Sequence, residues 1–394
     1  MNHADPSTRL RLWQARGLAF AFYGASGFLY PFLGLFLQEA GLSGVQIGWL
    51  VSLRAVLMLV SAPLWGALAD HTGRTRRAFQ LALVGSAAST YYLGQQTGLV
   101  GIAIGMALTS VFYGGAFALN DQVIVARLRG TGIGFGSARL GGSLGWTIVV
   151  IAAGAWIERT SIQTGFLGFT IGYLLTALYA APFAEPPPEP RRGGFAGLLR
   201  TNPSLLLLAA ALLLFGVGWT WPRQFMALYA AELGGGETLV GLVSGVAAFA
   251  ELPFMLWADR LVGRFRPSRV LQLSLALFGL TFLLGARVPA ASWLVPLGLI
   301  NAAAFSLYAV GLINTLTRRV PREAAGTAYG FYAVTLPSLA DLAGGPSLGW
   351  VFDGGGGRAV YALSGALCLG AALMLLGLPR RGQAAVAEAQ PTPF

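Results

Sequence analysis

Gly66-Ala-Leu-Ala-Asp70-His-Thr-Gly73-Arg74-Thr-Arg76-Arg77 is a polar turn wedged between two apolar runs, residues 50–68 and 78–93. Each run approaches the length of helix, about 20 residues, that crosses a hydrocarbon core. A link this short between two such runs is a tight turn at a bilayer surface. Its three arginines mark that surface as cytoplasmic by the positive-inside rule.

The rest of the chain repeats the pattern. Its 394 residues are 55% hydrophobic and 10% charged, with a mean hydropathy of +0.66. A soluble chain carries about 25% charged residues, so there is too little charge here to clothe a water-facing surface. Twelve spans are predicted, over residues 13–37, 44–70, 78–96, 98–126, 131–156, 163–184, 204–231, 237–262, 268–288, 291–316, 324–350 and 358–379. The Pro/Gly/Arg-rich stretch 184–203 (AEPPPEPRRGGFAGLLRTNP) falls between the sixth and seventh. It predicts an N-terminal six-helix bundle over 1–184, a cytoplasmic linker over 185–203, a C-terminal bundle over 204–381 and a disordered tail over 382–394. After the eighth span, Leu256-Trp-Ala-Asp259-Arg-Leu-Val-Gly263-Arg264-Phe-Arg266 is a degenerate copy of the opening turn. Internal repeats of this kind suit a secondary transporter. The expected fold is an all-α membrane protein of twelve transmembrane helices in two pseudo-symmetric bundles, with both termini cytoplasmic.

Placing both termini inside puts twenty arginines on the cytoplasmic side and three, Arg159, Arg287 and Arg358, in outer loops. The net charge of +11 is then a topology signal and not a nucleic-acid footprint. The chain has no lysine, which excludes a G-x-x-x-x-G-K-[ST] nucleotide loop and Schiff-base chemistry. Cys368 is the single cysteine, so an intrachain disulfide is excluded, and His3 and His71 both fall outside the apolar segments. No metal site, cofactor or enzymatic role is expected, since HExxH and GxSxG motifs are absent. Arg9, Arg11 and Arg16 lead into an apolar run without a cleavage site, so the first helix is read as retained.

A charge at the centre of a membrane helix costs roughly 2.5–3.5 kcal/mol, so those that occur are paired, wet or functional. Six fall within spans: Arg54, Asp121, Arg139, Arg223, Glu251 and Asp341. Asp121 and Arg139 lie on consecutive antiparallel helices, about 9 and 12 Å from the same surface at 1.5 Å per residue, and can pair. Arg54, Arg223 and Asp341 lie roughly 12–15 Å below the opposite ends by the same count. The six read either as structural salt bridges or as a site whose charges reorganise with substrate and protons.

The opening turn, with its pattern G-x-L-A-D-x-x-G-R-x-x-R, resembles the signature loop between helices 2 and 3 of the major facilitator superfamily. A narrower resemblance follows from Asp121, from Ala126-Arg127-Leu-Arg129, and from Phe135-Gly136-Ser-Ala-Arg139-Leu-Gly-Gly-Ser143-Leu-Gly145-Trp146. These are similar to helices 4 and 5 of the lactose permease branch, the proton symporters for oligosaccharides, nucleosides and phenylpropionate. The resemblance implies that Asp121 and Arg139 hydrogen-bond the substrate and that Trp146 stacks on it. The side chains suit that chemistry: a carboxylate accepts, a guanidinium donates through a fork, and an indole offers an apolar face.

The second half departs from that branch. Glu251 matches its helix-8 acid, but Asn301 and Ala304 stand where the branch has a histidine and a proton-carrying glutamate. The seventh span carries Trp219, Trp221, Pro222 and Arg223 in place of a tyrosine and acids, and the eleventh carries Asp341 and no lysine. Substrate contact is therefore expected from Asp121, Arg139, Trp146, Trp221, Arg223 and Asn301. Proton coupling falls to Glu251, Asp341 or Asp121, with Glu251 favoured. Gating is expected from Arg54, Asp70, Arg74, Arg77 and Asp259, with Arg54–Asp341 closing the outer side and Arg139–Glu251 bridging the halves.

The function expected is secondary active transport of a small polar solute, such as a sugar or nucleoside, across the cytoplasmic membrane by proton symport and alternating access. The protein is expected to be monomeric, with lipids, a small-molecule substrate and protons as its partners and no nucleic acid. Two alternatives remain: an organic-anion or lysolipid carrier using the buried arginines, and a drug efflux antiporter. Against efflux, the fifth span lacks the proline of the G-P-x-x-G-G antiporter signature.

Overall fold

The computed structural model describes residues 6–185, 202–321 and 324–378, and of Asp259, Ala325 and Gly326 only the backbone. The predicted linker, apart from its edges, and the predicted tail lie outside these residues, as does the side chain of the predicted gate residue Asp259. Among the described residues every regular element is helical.

Among the described residues twelve helical segments, numbered here as spans, form two bundles, and eight helices are long and apolar enough to cross a membrane. Span 1 comprises Pro6–Gly27 and Leu33–Glu39, followed by spans 2 to 6 at Gly44–Thr72, Thr75–Gly94, Leu99–Leu128, Phe135–Arg159 and Gln163–Ala180. Spans 7 to 10 are Pro203–Glu232, Glu237–Arg264, Pro267–Gly285 and Leu294–Thr317. Span 11 begins at Ala325–Gly330, passes through a wide π-type stretch at Phe331–Thr335, and continues into the helix Leu336–Met374. Gly356, at φ 63°, breaks that helix and starts span 12. Only glycine takes such a φ without strain.

Six of the ten tryptophans, Trp13, Trp49, Trp156, Trp257, Trp293 and Trp350, are exposed. All six lie within about two turns of a helix end or of the Gly356 break. Outward-facing indoles at those depths form the aromatic belts of a membrane protein.

Three departures from the predicted spans shape the interior. The first span is not continuous over 13–37: residues 28–32 are turns. Pro31 lacks an N–H and its ring clashes with the carbonyl four residues earlier, so the helix stops and restarts. The fifth span starts at Phe135, not at 131, because Gly130 and Gly132 adopt φ of 74° and 69°. Arg139 therefore lies only about 6 Å along its helix, and Asp121 about 10 Å from the end of its own, at 1.5 Å per residue. The opening turn shrinks to a two-residue link: span 2 runs on through Thr72, Gly73 caps it at φ 63°, and span 3 starts at Thr75.

Within each bundle, aromatic side chains interlock. Phe22, Tyr113, Phe169 and Tyr173 fill the first; Phe215, Phe278, Tyr308 and Trp219 fill the second. Between bundles, span 2 packs on span 11 and span 5 on span 8. Both contacts are made by glycines at the end away from the arginine-rich loops. A Cβ on Gly48 would collide with the carbonyl oxygen of Gly345, and one on Gly241 would come 2.6 Å from that of Val150. Without a strong hydrophobic drive between helices in lipid, such backbone approach is what van der Waals packing can exploit.

Gly48→Leu is accordingly expected to force spans 2 and 11 apart. In a Cys368→Ala background carrying Val45→Cys, thiol labelling from the glycine-packed end should rise several-fold. Unchanged labelling would contradict a close-packed seam.

Candidate functional site

A cavity of about 430 Å³ lies between the bundles, within the usual range for small-ligand sites. The break in span 1 turns Tyr30 and Pro31 into its wall. Span 2 adds Arg54, span 4 Tyr113 and span 5 Trp146; the other bundle adds Trp219, Arg223, Glu251, Asn301 and Phe305. Of the residues expected at the site, Arg54, Trp146, Arg223, Glu251 and Asn301 line this cavity. Trp219 and Phe305 stack with ring centres 6.0 Å apart, so the wall offers flat apolar faces beside a few convergent polar groups.

Trp221 is corrected. It is 3% exposed and donates its indole N–H to the Gly344 carbonyl at 3.2 Å, packing span 7 on span 11; Trp219, two residues away, faces the cavity. Sequence alone could not choose between them, because a helix that is apolar all round does not show which of its faces is turned to the cavity.

The expected Arg54–Asp341 pair is not formed. Asp341 accepts from Arg223 through both carboxylate oxygens at 3.2 Å and from the Thr220 hydroxyl. Span 7 presents both partners, which lie one turn apart on its face, while span 2 presents to span 11 the small residues Gly44, Gly48 and Ser52. Ser52 donates to the Leu342 carbonyl at 3.0 Å.

Asp121 and Arg139 sit outside the cavity wall, around Tyr23. Asp121 accepts from Asn120 at 3.0 Å. Arg139 lies over the Tyr23 ring at 3.8 Å from its centre. No direct salt bridge joins Arg139 to Asp121 or Glu251 among the described residues. All three intramembrane arginines are stacked on aromatic rings: Arg54 on Tyr30 at 4.4 Å and Arg223 on Trp219 at 4.8 Å. Cation–π contact keeps a guanidinium tolerable at depth while leaving its donor edge free.

Two carboxylates not singled out in the sequence fasten the halves at the glycine-packed end. Asp353, near the end of span 11, accepts from the Gly44 and Val45 amides at 2.6 and 3.0 Å. Ser43 and Gln46 form a capping box there. The first three amides of span 2 are thus satisfied, which an isolated helix start cannot manage. Glu158, at the end of span 5, accepts from the Thr238 amide at 2.7 Å, at the start of span 8, whose cap residue Gly236 has no side chain to do so. The two contacts are related by the pseudo-symmetry of the bundles, 11 onto 2 and 5 onto 8. A carboxylate at a helix start also meets the positive end of the helix dipole.

At the arginine-rich end, Asp70, Arg74 and Arg77 are exposed. They make no hydrogen bond or ion pair among the described residues. Arg76 instead bonds the Ala181 and Phe183 carbonyls and pairs with Glu185 at 3.4 Å, tying span 3 to the end of span 6 within one bundle.

Residues 12–363 match the family model described as the MFS_1 like family. Maltose permease of Geobacillus stearothermophilus is 31% identical over 324 residues, covering 80% of this chain and 81% of the relative. The multidrug resistance protein MdtG of Salmonella choleraesuis is 25% identical over 356 residues, covering 79% and 87%. Among solved structures, that of the nucleoside transporter NupG superposes with a TM-score of 0.82 at 15% identity, covering 94% of this chain and 99% of the other.

The observed pairing is testable by charge exchange. Arg223→Asp and Asp341→Arg should each lower the melting temperature, and the double exchange should recover most of the loss; Arg54→Asp with Asp341→Arg should recover none. Glu158→Gln and Asp353→Asn should each weaken closure of the glycine-packed end by about 1 kcal/mol, typical of a charge at a helix terminus. They should combine additively, since the two contacts share no partner. Distance distributions between spin labels across that end would report both.

Proposed function

Because the chain belongs to the MFS_1 like family and is therefore a multi-pass membrane transporter of the major facilitator superfamily, not an enzyme, we propose that it moves a small polar solute by proton-coupled alternating access. The solute class we favour is a sugar or a compound of similar shape and polarity. One observation carries this reading: the inter-bundle cavity combines the indoles of Trp146 and Trp219 with Arg54, Arg223, Glu251 and Asn301. Flat apolar faces beside forked donors and acceptors suit a ring that is hydroxylated at its edge and apolar on its faces. The 31% identity to a maltose permease supports the same class.

The arginine-rich end is assigned to the cytoplasm, and the membrane to the cell's cytoplasmic membrane. The state described, fastened at the opposite end by Glu158, Asp353 and the glycine seams, is then inward-facing. Asp70, Arg74, Arg77 and Asp259 are proposed to fasten the cytoplasmic end in the alternate state. The proposed units are the bundles at 1–184 and 204–381.

Glu251 is the one carboxylate in the cavity wall among the described residues. It is proposed as the proton carrier, with Asp121 as its counterpart on the other side of Arg139. Protonation of Glu251 removes a negative charge from the wall, so that the loaded cavity can occlude without burying an unpaired carboxylate. The similarity to MdtG raises efflux as a second reading; the number of fixed charges around the cavity favours a polar cargo over a lipophilic one.

In proteoliposomes, an inward proton gradient should drive maltose or nucleoside accumulation. Glu251→Gln should lower that accumulation at least tenfold while substrate exchange at equal pH persists. Wild-type uptake indifferent to the gradient would overturn proton coupling.

A further inference from the structure

Of the three arginines held within the spans, Arg223 is paired with Asp341 at 3.2 Å, and Arg139 lies over Tyr23 at 3.8 Å and does not line the cavity. Arg54 makes no hydrogen bond and no ion pair among the described residues. Its one close polar-aromatic contact is with Tyr30, whose ring centre is 4.4 Å from the guanidinium carbon. Yet it lines the cavity, beside Tyr30 and Tyr113, whose rings are 4.7 Å apart.

An unpaired guanidinium at this depth is costly. Contact with the tyrosine ring offsets part of that cost and leaves the positive charge without a counter-ion. What the ring contact does supply is a fixed position: the guanidinium carbon is held 4.4 Å from the Tyr30 ring centre, in the cavity wall. A guanidinium anchored there can take two oxygens of one acidic group side by side. A side chain needed only for packing would not carry this charge into a cavity.

We propose that Arg54 is the receptor for an anionic oxo group, a carboxylate or a phosphate, borne by the transported solute, so that the preferred cargo is an acidic sugar-like compound and not its neutral parent. This rests on the reading of the inter-bundle cavity as the transport site and narrows its substrate class. The acidic group supplies the counter-charge that Arg54 lacks, and the sugar-like ring lies toward Trp146 and Trp219 in the same wall. Arg54 is thereby a specificity-determining residue and not a gate partner of Asp341.

The test is calorimetric titration of the full-length protein in nanodiscs with matched ligands. These are maltose against maltobionate, and glucose against glucuronate and glucose 6-phosphate, with 3-phenylpropionate and inorganic phosphate as anions without a sugar. The carboxylate and phosphate arms distinguish the two anion types. Acidic sugars are expected to bind at least tenfold more tightly than their neutral parents. Arg54→Gln should erase that preference, lowering the affinity for acidic sugars at least tenfold more than that for their neutral parents. Arg54→Lys, which keeps the charge and loses the fork, should retain part of the preference and serves as the second variant if Arg54→Gln does not fold.

If neutral and acidic sugars bind equally, or if the preference survives Arg54→Gln, the anion receptor is overturned while the sugar reading stands. If no sugar binds but 3-phenylpropionate or phosphate does so through Arg54, the anion receptor stands and the sugar reading falls. If no anion binds the wild-type protein, the proposal is overturned outright.

Discussion

Hydrocarbon tolerates neither an unsatisfied backbone amide nor an unneutralised charge, and the structure is organised by that intolerance. The helices satisfy their own amides internally, one of the two ways, with the closed β-barrel, in which a backbone can face lipid. Where the first span breaks, at residues 28–32, the chain lies next to the cavity, with Tyr30 and Pro31 in its wall. The three arginines that enter the spans are laid on aromatic rings. One of them, Arg223, is also paired with an acid; Arg54 faces the cavity without an ion pair among the described residues.

The same intolerance operates at the surface where the bundles meet. Helix starts expose amides that only a partner can satisfy. Here the partner comes from the opposite bundle: Asp353 for span 2 and Glu158 for span 8. The glycines behind these contacts let the backbones approach until the carboxylates reach. The seam and the latch are therefore one device, written twice by the pseudo-symmetry. Each contact is modest in strength and sits at the water-facing rim, which suits a closure that must reopen.

The similarity to transporters of different printed substrates, a maltose permease and a multidrug resistance protein, fits a scaffold whose selectivity resides in few cavity side chains. Trp146, Trp219, Arg54, Glu251 and Asn301 are contributed by five different helices. Small changes at such positions alter cargo without disturbing the packing of either bundle.

What the sequence by itself determined was the twelve-span architecture and the charged residues that had to matter. Hydropathy needs only the thickness of the bilayer to be read, and a buried charge stands out because so few are tolerated. Which residues meet was decided by tertiary structure alone. Arg223 and not Arg54 holds Asp341, because their helices are rotated so. Trp219 and not Trp221 faces the cavity, because the rotation of span 7 about its own axis turns Trp221 onto span 11. Glu158 and Asp353 were invisible in the chain, since an acid near a span end reads as an ordinary solvated charge. Their role exists only once a helix start from the other bundle, 309 residues away for Asp353 and 80 for Glu158, is brought within 3 Å. Period and composition are local properties; rotation of one helix against another is not.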